Sequence, residues 1–218
     1  MNNTKLKIGI TQRIINNQSY PEKRDALSLE WIDFVNKALP EATLIPLINS
    51  PVNIIEAIKV LQLDGIILSN GNDLGSEYLR DKTEKLIMDF IIKNNIPLLG
   101  ICRGFQFINS YFNGKLSKNI KDESSTNHTV IEHQINIITN QFSELAGQAK
   151  IVVNSFHNQG VMENNIADDL LIFAKTENHV VEGFYHKEKK IIGIQWHPER
   201  ENKAHEFDIK LFKYIFKQ

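Results

Sequence analysis

The only cysteine of the chain, Cys102, lies between an apolar run and an amphipathic segment. The run "IPLLGI" at 96–101 is typical of a buried strand, and Gly100 and Gly104 allow a tight turn into a helix. A residue at such a turn points into the crevice beyond the sheet, and the N-terminus of the following helix favours a thiolate. Cys102 is therefore a candidate nucleophile. The alternative is a cysteine that acts as a small buried hydrophobic residue.

A histidine and a glutamate follow another apolar run, in the segment "IIGIQWHPER" at 191–200. A cysteine nucleophile needs an imidazole to accept its proton, and the imidazole needs a partner that fixes its tautomer. His197 and Glu199 can form this pair, since they lie two positions apart with Pro198 stiffening the chain between them. Each alone is equally compatible with a solvated loop histidine or a surface carboxylate. Their occurrence together with Cys102 favours a Cys-His-Glu triad.

Strand-like and helix-like segments alternate through the first half of the chain. Apolar runs at 6–11, 42–47, 64–69 and 96–101 are separated by helical spacing at 27–38, 53–62 and 86–91. This alternation predicts a parallel sheet that is covered by helices on both faces. The second half consists of strand-like runs joined by short turns, and a closing helix is predicted at 204–216. We therefore predict one α/β domain over residues 1–218, with a mixed but mostly parallel sheet.

The composition excludes several classes of protein. The 218 residues are 42% hydrophobic, which is enough for a sizeable core, and the net charge is −1. A nearly neutral chain lacks the excess of positive charge that is typical of proteins that bind nucleic acid or an anionic membrane. The sequence has no apolar stretch of membrane-spanning length, and its first residues lack the apolar core of a signal peptide. A single cysteine cannot form an internal disulfide, so we expect a cytoplasmic protein.

The two blocks around the proposed triad resemble the signature blocks of class I glutamine amidotransferases. These blocks are "GICRGFQ" and "QWHPE", and "NSFHNQG" at 154–160 narrows the resemblance to the branch of γ-glutamyl hydrolases that includes γ-glutamyl-γ-aminobutyrate hydrolase. The resemblance implies a flavodoxin-like core, and we expect no cofactor. His128 and His133 could suggest a metal site, but no further ligand is clustered with them, so we expect both to be structural. The resemblance also implies that Cys102 attacks the δ carbonyl of a γ-glutamyl group. A thioester then forms, the amine leaves, and water releases glutamate.

The resemblance also implies an oxyanion hole and a site for the glutamyl group. One oxyanion donor would be the backbone N–H of Arg103, and the other would be that of Gly71 in the loop "LSNGNDLG". The family usually has two consecutive glycines in this loop, and here Asn70 replaces the first of them. Asparagine tolerates a left-handed backbone, so the turn can survive the replacement. The residues implied to bind the glutamyl group are Gln106, Asn154, Ser155 and His157.

Two arginines near the end of the first predicted strand suggest that the substrate is an anion. Only five arginines occur in the chain, and Arg13 and Arg24 lie in the segment that leads towards the first predicted helix. The alternative is a solvated loop and helix start, with Asp25 as an acid in the first turn. This segment resembles family members found with surface-polysaccharide genes. Those members are similar to a hydrolase that releases cytidine diphosphoramidate from γ-glutamyl-cytidine diphosphoramidate.

Other functions remain open at this point. The amine released could instead be γ-aminobutyrate or a related amine. The chain could also be a glutaminase that supplies ammonia to a partner synthase, which would give little activity alone and would copurify with its partner. An inactive family member that serves as a binding protein is a third reading, which the intact triad argues against. The sequence leaves a homodimer open.

Overall fold

The structure is a computed structural model that describes residues 5–124, 129–201, 203 and 205–217. The strands are β1 (Leu6–Thr11), β2 (Arg13–Asn16), β3 (Lys23–Ala26), β4 (Ala42–Leu47), β5 (Gly65–Leu68), β6 (Leu98–Ile101), β7 (Thr129–Ile137), β8 (Lys150–Phe156), β9 (Val161–Met162), β10 (Leu170–Lys175), β11 (Val180–His186) and β12 (Ile191–Ile194). The helices are α1 (Glu30–Ala38), α2 (Ile54–Leu61), α3 (Tyr78–Asn94), α4 (Arg103–Tyr111), α5 (Ile120–Ser124), α6 (Asn140–Ala146) and α7 (His205–Phe216).

A ten-stranded sheet forms the centre of the fold. Its order is β4-β1-β5-β6-β12-β11-β10-β7-β8, and β9 pairs with β11. Strands β4, β1, β5, β6 and β12 pair in parallel, while the pairs on the other side of β12 are antiparallel. The predicted α/β fold with a mixed sheet is therefore confirmed.

Helices cover both faces of the sheet because its parallel strands are apolar on both sides. Successive residues of β5 belong to different cores: Ile67 lies in the cluster that contains Trp31 and Phe212, and Ile66 lies in the cluster that contains Ile87. The first cluster is covered by α1 and α7, and the second by α2 and α3. None of the helices in the described ranges is long and apolar enough to cross a membrane.

Three neighbouring parallel strands end at the same edge of the sheet. Strands β5, β6 and β12 are adjacent, with Leu68 in register with Gly100 and Ile101 in register with Ile194. The chain that follows each strand therefore emerges at one place, which is where parallel sheets bind ligands. Helix α4 packs closely against β5 there: a Cβ on Gly104 would lie 2.1 Å from the carbonyl oxygen of Leu68. Only glycine permits that approach.

The N-terminal segment differs from the prediction. Residues 13–26 form a two-stranded hairpin, β2–β3, and α1 begins only at Glu30. Asp25 lies in β3, where its carboxylate accepts hydrogen bonds from the backbone N–H and the side-chain amide of Asn49, at 2.9 and 2.6 Å. The alternative interpretation, a helix start with Asp25 in its first turn, was therefore wrong. The contact with Asn49 spans 24 residues, and no local pattern indicates it.

Candidate active site

Cys102 occupies a strained position between β6 and α4. Its φ is 52° and its ψ is −100°, a backbone conformation that non-glycine residues rarely adopt and that costs on the order of 1–3 kcal/mol. The N–H of Cys102 donates to the carbonyl of Ile194 at 2.9 Å, which holds the turn against β12. The residue is 8% exposed and lines a cavity. Strain of this kind is typical of a residue whose side chain is held out of regular structure for function.

His197 is buried next to Cys102, and neighbouring residues form hydrogen bonds with both its side chain and its backbone. The ring Nδ1 lies 2.8 Å from Oε1 of Glu199, whose side chain is fully buried, so Nδ1–H donates to the carboxylate. Asn154 accepts from the N–H of His197 and donates to its carbonyl, both at 2.9 Å. The ring orientation and its tautomer are therefore defined by neighbours on two sides.

The protonation of His197 follows from the same contacts. Burial alone lowers the pKa of His197. The negative charge and hydrogen bond of Cys102, and then those of Glu199, outweigh burial and raise the pKa to about 9. At neutral pH the imidazole is therefore protonated, and it can stabilise negative charge on the Cys102 sulfur.

The structure adds Asn70 to this group. Its side-chain amide donates to Oε1 of Glu199 at 2.9 Å and lies 2.9 Å from Nδ1 of His197. The sequence suggested Asn70 only as a backbone replacement for glycine in the loop. Its replacement of a family glycine was the available signal, but a contact across 129 positions could not be predicted from it. Asn70 restrains the carboxylate that orients His197.

The two residues predicted to supply oxyanion donors come from the loop after β5 and from the start of α4. Gly71 has a φ of +81°, which requires glycine or a strained residue, and Arg103 is the first residue of α4. Both line the cavity. The guanidinium of Arg13 covers Gly71, because a Cβ on Gly71 would lie 2.5 Å from the Arg13 Nε.

The cavity has a volume of about 540 Å³. Gln106 and His157, both predicted to bind the glutamyl group, line it. Gln106 is buried rather than exposed on the helix surface, and it donates to the carbonyl of Gln159 at 2.9 Å. The full set of lining residues is Arg13, Asn70, Gly71, Asn72, Asp73, Cys102, Arg103, Gln106, Lys118, Phe156, His157, Asn158, Gln159, His197 and Arg200.

Three residues predicted to bind substrate do not line this cavity. Asn154 and Ser155 are buried within strand β8, not in a loop after it. The side-chain amide of Asn154 hydrogen-bonds to the backbone of His197. Arg24 lies on the exposed strand β3, where it pairs with Glu22 and donates to the hydroxyl of Tyr20 at 2.7 Å. The polar groups of Arg24 and Asn154 are therefore engaged elsewhere, those of Arg24 by nearby residues and those of Asn154 by His197.

The sequence also raised the question of a metal site. Within the described ranges, no group of three or more His, Cys, Asp or Glu side chains could hold a metal ion. Of the two histidines considered as metal ligands, His128 lies outside the described residues, and His133 lies 3.2 Å from the buried carboxylate of Glu182. Burial lowers the pKa of His133, but the charge of Glu182 outweighs it and raises that pKa.

The coupling of His197 to Cys102 predicts a measurable change in pKa. Cys102→Ser removes the largest contribution that raises the pKa of His197, so this pKa should fall from about 9. Nuclear magnetic resonance titration of histidine-labelled protein, assigned with a His197 variant, would measure it. An unchanged pKa would contradict the coupling.

The same coupling predicts how stability depends on pH. The folded-state pKa of His197 lies above its ordinary value of 6.5, so its contribution to the free energy of unfolding is complete below pH 6.5. That contribution is lost as the pH rises through about 9. Cys102→Ser should reduce this loss, which denaturant unfolding at several pH values would detect.

Comparison with known proteins assigns the family. A family model described as Peptidase C26 matches residues 7–199. The chain belongs to the Peptidase C26 family. It is 37% identical over 201 residues to the gamma-glutamyl-CDP-amidate hydrolase of Campylobacter jejuni, covering 89% of this chain and 90% of that protein. These similarities support a hydrolase of the glutamine amidotransferase type, as the two signature blocks indicated.

Two further similarities connect the Peptidase C26 chain to other glutamine amidotransferases. It is 32% identical over 159 residues to a glutamine-hydrolysing GMP synthase subunit of Thermoplasma acidophilum, covering 72% of this chain and 74% of that protein. The crystal structure of a glutamine amidotransferase from Thermotoga maritima superposes with a TM-score of 0.66 at 16% identity, covering 96% and 83% of the two chains. This likeness confirms the flavodoxin-like glutamine amidotransferase fold.

Proposed function

We propose that the chain hydrolyses a γ-glutamyl amide bond through a thioester on Cys102. The observation that carries this proposal is the buried contact of Cys102 with His197, whose ring is held 2.8 Å from the Glu199 carboxylate at the wall of a polar cavity. In this proposal Cys102 is the nucleophile, His197 carries the proton and Glu199 orients it. The 37% identical hydrolase supports the assignment.

The first half of the proposed reaction forms the thioester. The Cys102 sulfur attacks the δ carbonyl carbon, and the carbonyl π electrons move onto oxygen. The backbone N–H groups of Gly71 and Arg103 would stabilise this oxyanion. When the intermediate collapses, the C–N bond breaks and His197 gives its proton to the departing nitrogen. A pKa of about 9 keeps His197 protonated at neutral pH for this transfer.

The second half releases glutamate. His197 is now neutral, so it accepts a proton from a water molecule as that water attacks the thioester carbonyl. The oxyanion forms again at the same two N–H groups. Its collapse breaks the C–S bond, expels the Cys102 thiolate and frees the γ-carboxylate of glutamate. The imidazolium–thiolate pair is then restored, and no cofactor is needed for either half.

For the leaving group, we propose cytidine diphosphoramidate, which makes the substrate γ-glutamyl-CDP-amidate. The support is the charge of the cavity: Arg13 and Lys118 line it, against the single carboxylate of Asp73. Arg200 also lines it, but its guanidinium lies 3.7 Å from the Glu199 carboxylate and packs over the Phe156 ring. Arg103 adds no net charge, since its guanidinium is paired with Asp81 and with the buried Glu84. The glutamyl head carries one carboxylate and one ammonium group and so has no net charge, and the cations of the cavity wall therefore favour a leaving group with several negative charges, such as a diphosphate.

A second candidate is a glutaminase that feeds a partner synthase. The observation that favours it is the 32% identity to a GMP synthase subunit. One assay distinguishes the two candidates. It measures glutamate release by the purified chain from γ-glutamyl-CDP-amidate, γ-glutamyl-γ-aminobutyrate and glutamine. Fast turnover of the first by the chain alone supports the hydrolase, and preference for the second substrate would exclude the diphosphate. Slow release from all three, with acceleration by a copurifying protein, supports the glutaminase.

The cation-lined cavity predicts a substrate-dependent effect of two substitutions. Arg13→Ala or Lys118→Ala should lower kcat/KM for γ-glutamyl-CDP-amidate about tenfold to a hundredfold, because each removes a charge-assisted hydrogen bond of about 1.5–3 kcal/mol. Glutamine hydrolysis should hardly change, since its leaving group is ammonia.

Two matched controls lie close by. Arg24→Ala removes the other arginine of the hairpin, and Lys121→Ala removes an exposed lysine three positions from Lys118; neither residue lines the cavity. Both should leave kcat/KM within about twofold of wild type. Equal losses on both substrates in the Arg13 and Lys118 variants would refute the leaving-group contact. A loss in Arg24→Ala would restore the role that the sequence suggested for it.

A further inference from the structure

Arg80, on helix α3, binds the backbone of the loop that follows β5. Its side chain is fully buried, and its guanidinium donates to three successive carbonyls: Ser69 at 2.8 Å, Asn70 at 3.0 Å and Gly71 at 2.6 Å. Burial lowers the pKa of Arg80 to about 10, so it remains charged at neutral pH. Three successive carbonyls of this loop are therefore directed towards one buried cation.

The direction of the carbonyls decides the direction of the N–H groups. In a planar trans peptide the N–H points opposite to the C=O. The carbonyl of Asn70 points to Arg80, so the N–H of Gly71, which belongs to the same peptide, points away from Arg80. Asn70 and Gly71 line the cavity, while Arg80 does not. The Gly71 N–H therefore lies on the side of the peptide away from Arg80, and rotation of this peptide would break a hydrogen bond to a buried guanidinium.

Glu84 connects Arg80 to Arg103, which lines the cavity. Its fully buried carboxylate accepts from Nε of Arg80 at 3.0 Å and also from the guanidinium of Arg103. Thr11 donates its hydroxyl to Glu84 at 2.9 Å and accepts from the N–H of Ser69 at 3.0 Å. Burial raises the pKa of Glu84, but Arg103 and Arg80 outweigh it and lower that pKa, so the acid is ionised.

We propose that Arg80 and Glu84 are positioning residues that hold the Asn70–Gly71 peptide and Arg103 in the geometry that binds the oxyanion. This inference rests on the proposed function for its chemistry, although neither residue touches the substrate. A buried ion pair adds little to stability compared with an apolar replacement of similar size. Its value here lies in fixing two N–H groups, one on each side of Cys102, through one carboxylate.

The kinetic test uses Arg80→Met and Glu84→Gln, with Thr83→Val as the matched control. Thr83 is equally buried on α3, but its hydroxyl donates only to the carbonyl of Leu79 in the same helix. Arg80→Met and Glu84→Gln should lower kcat for γ-glutamyl amides about 10²- to 10³-fold with little change in KM, as expected when an oxyanion donor is lost. Thr83→Val should stay close to wild type. A kcat within about threefold of wild type in both test variants would overturn the proposal.

Alkylation of Cys102 by iodoacetamide separates positioning from a general loss of structure. Displacement at a saturated carbon forms no oxyanion, so the alkylation rate of folded Arg80→Met should match wild type within about twofold. A parallel fall in alkylation and hydrolysis would overturn the proposal, since it would show that the nucleophile itself was disturbed. If Arg80→Met does not fold, Arg80→Lys replaces it: it keeps the charge but cannot reach three carbonyls, so kcat should still fall at least tenfold.

A crystal structure of Arg80→Met, or of Arg80→Lys, tests the same inference without a substrate. The Asn70–Gly71 peptide should be rotated or should occupy two orientations. An orientation identical to wild type would overturn the positioning role even if the wild-type enzyme proved active. Conversely, a rotated peptide in the variant and no turnover of any γ-glutamyl amide by wild type would reject the proposed function and leave the positioning role intact.

Discussion

Cys102→Ser is expected to lower the turnover of γ-glutamyl amides on the order of 10⁴-fold or more, because a serine hydroxyl is far harder to deprotonate than a thiol. The substitution preserves the shape of the side chain at a position with a positive φ, so the fold should survive. Glutamate release measured with purified enzyme, and the melting temperature as the control for folding, check this result. Turnover near the wild-type value would refute the proposed mechanism.

A covalent trap complements the substitution. Wild-type enzyme quenched during turnover should carry the added mass of one γ-glutamyl group, and peptide mapping should locate it on Cys102. The Cys102→Ser protein should show no thioester adduct. An adduct on a different residue would identify another nucleophile, even if Cys102→Ser were inactive for structural reasons.

His197→Ala should lower kcat as much as the loss of the nucleophile does, whereas Glu199→Gln should retain measurable activity. In the proposed mechanism only His197 gives and takes protons, so its removal should lower kcat on the order of 10⁴-fold or more. Glutamine at 199 can still accept the Nδ1–H bond and can remain in contact with Asn70, but it lacks the charge that helps to raise the pKa of His197. Rates for the two variants at pH 7 measure this ranking.

The pH dependence of Glu199→Gln provides a second check. Since Glu199 raises the pKa of His197, its replacement should lower that pKa and shift the alkaline limb of the kcat profile to lower pH. The opposite ranking, with Glu199→Gln more damaging than His197→Ala, would show that the two roles are assigned incorrectly. Equal and complete inactivation with loss of the folded state would point to a structural role for the buried carboxylate.

The positions of Cys102, His197 and Glu199 could be predicted from sequence because each follows a short apolar strand. Hydrophobic runs indicate buried parallel strands, and neighbouring parallel strands end at one edge of a sheet. The α/β fold and the meeting of these three residues at its edge follow from that local pattern. The resemblance to glutamine amidotransferases rests on the two blocks that contain Cys102, His197 and Glu199. It therefore depends on the same part of the sequence as this prediction.

The hairpin at 13–26 and the roles of Asn70, Arg80 and Asn154 depend on contacts that no local pattern contains. Asn154 holds the backbone of His197 across 43 positions, and Asn70 reaches Glu199 across 129. The sequence around a polar residue does not indicate its distant partner, since the packing of strands and helices decides which polar groups lie within hydrogen-bonding distance. Packing thus placed Lys118 at the cavity wall and placed Arg80 of α3 where it binds the loop after β5.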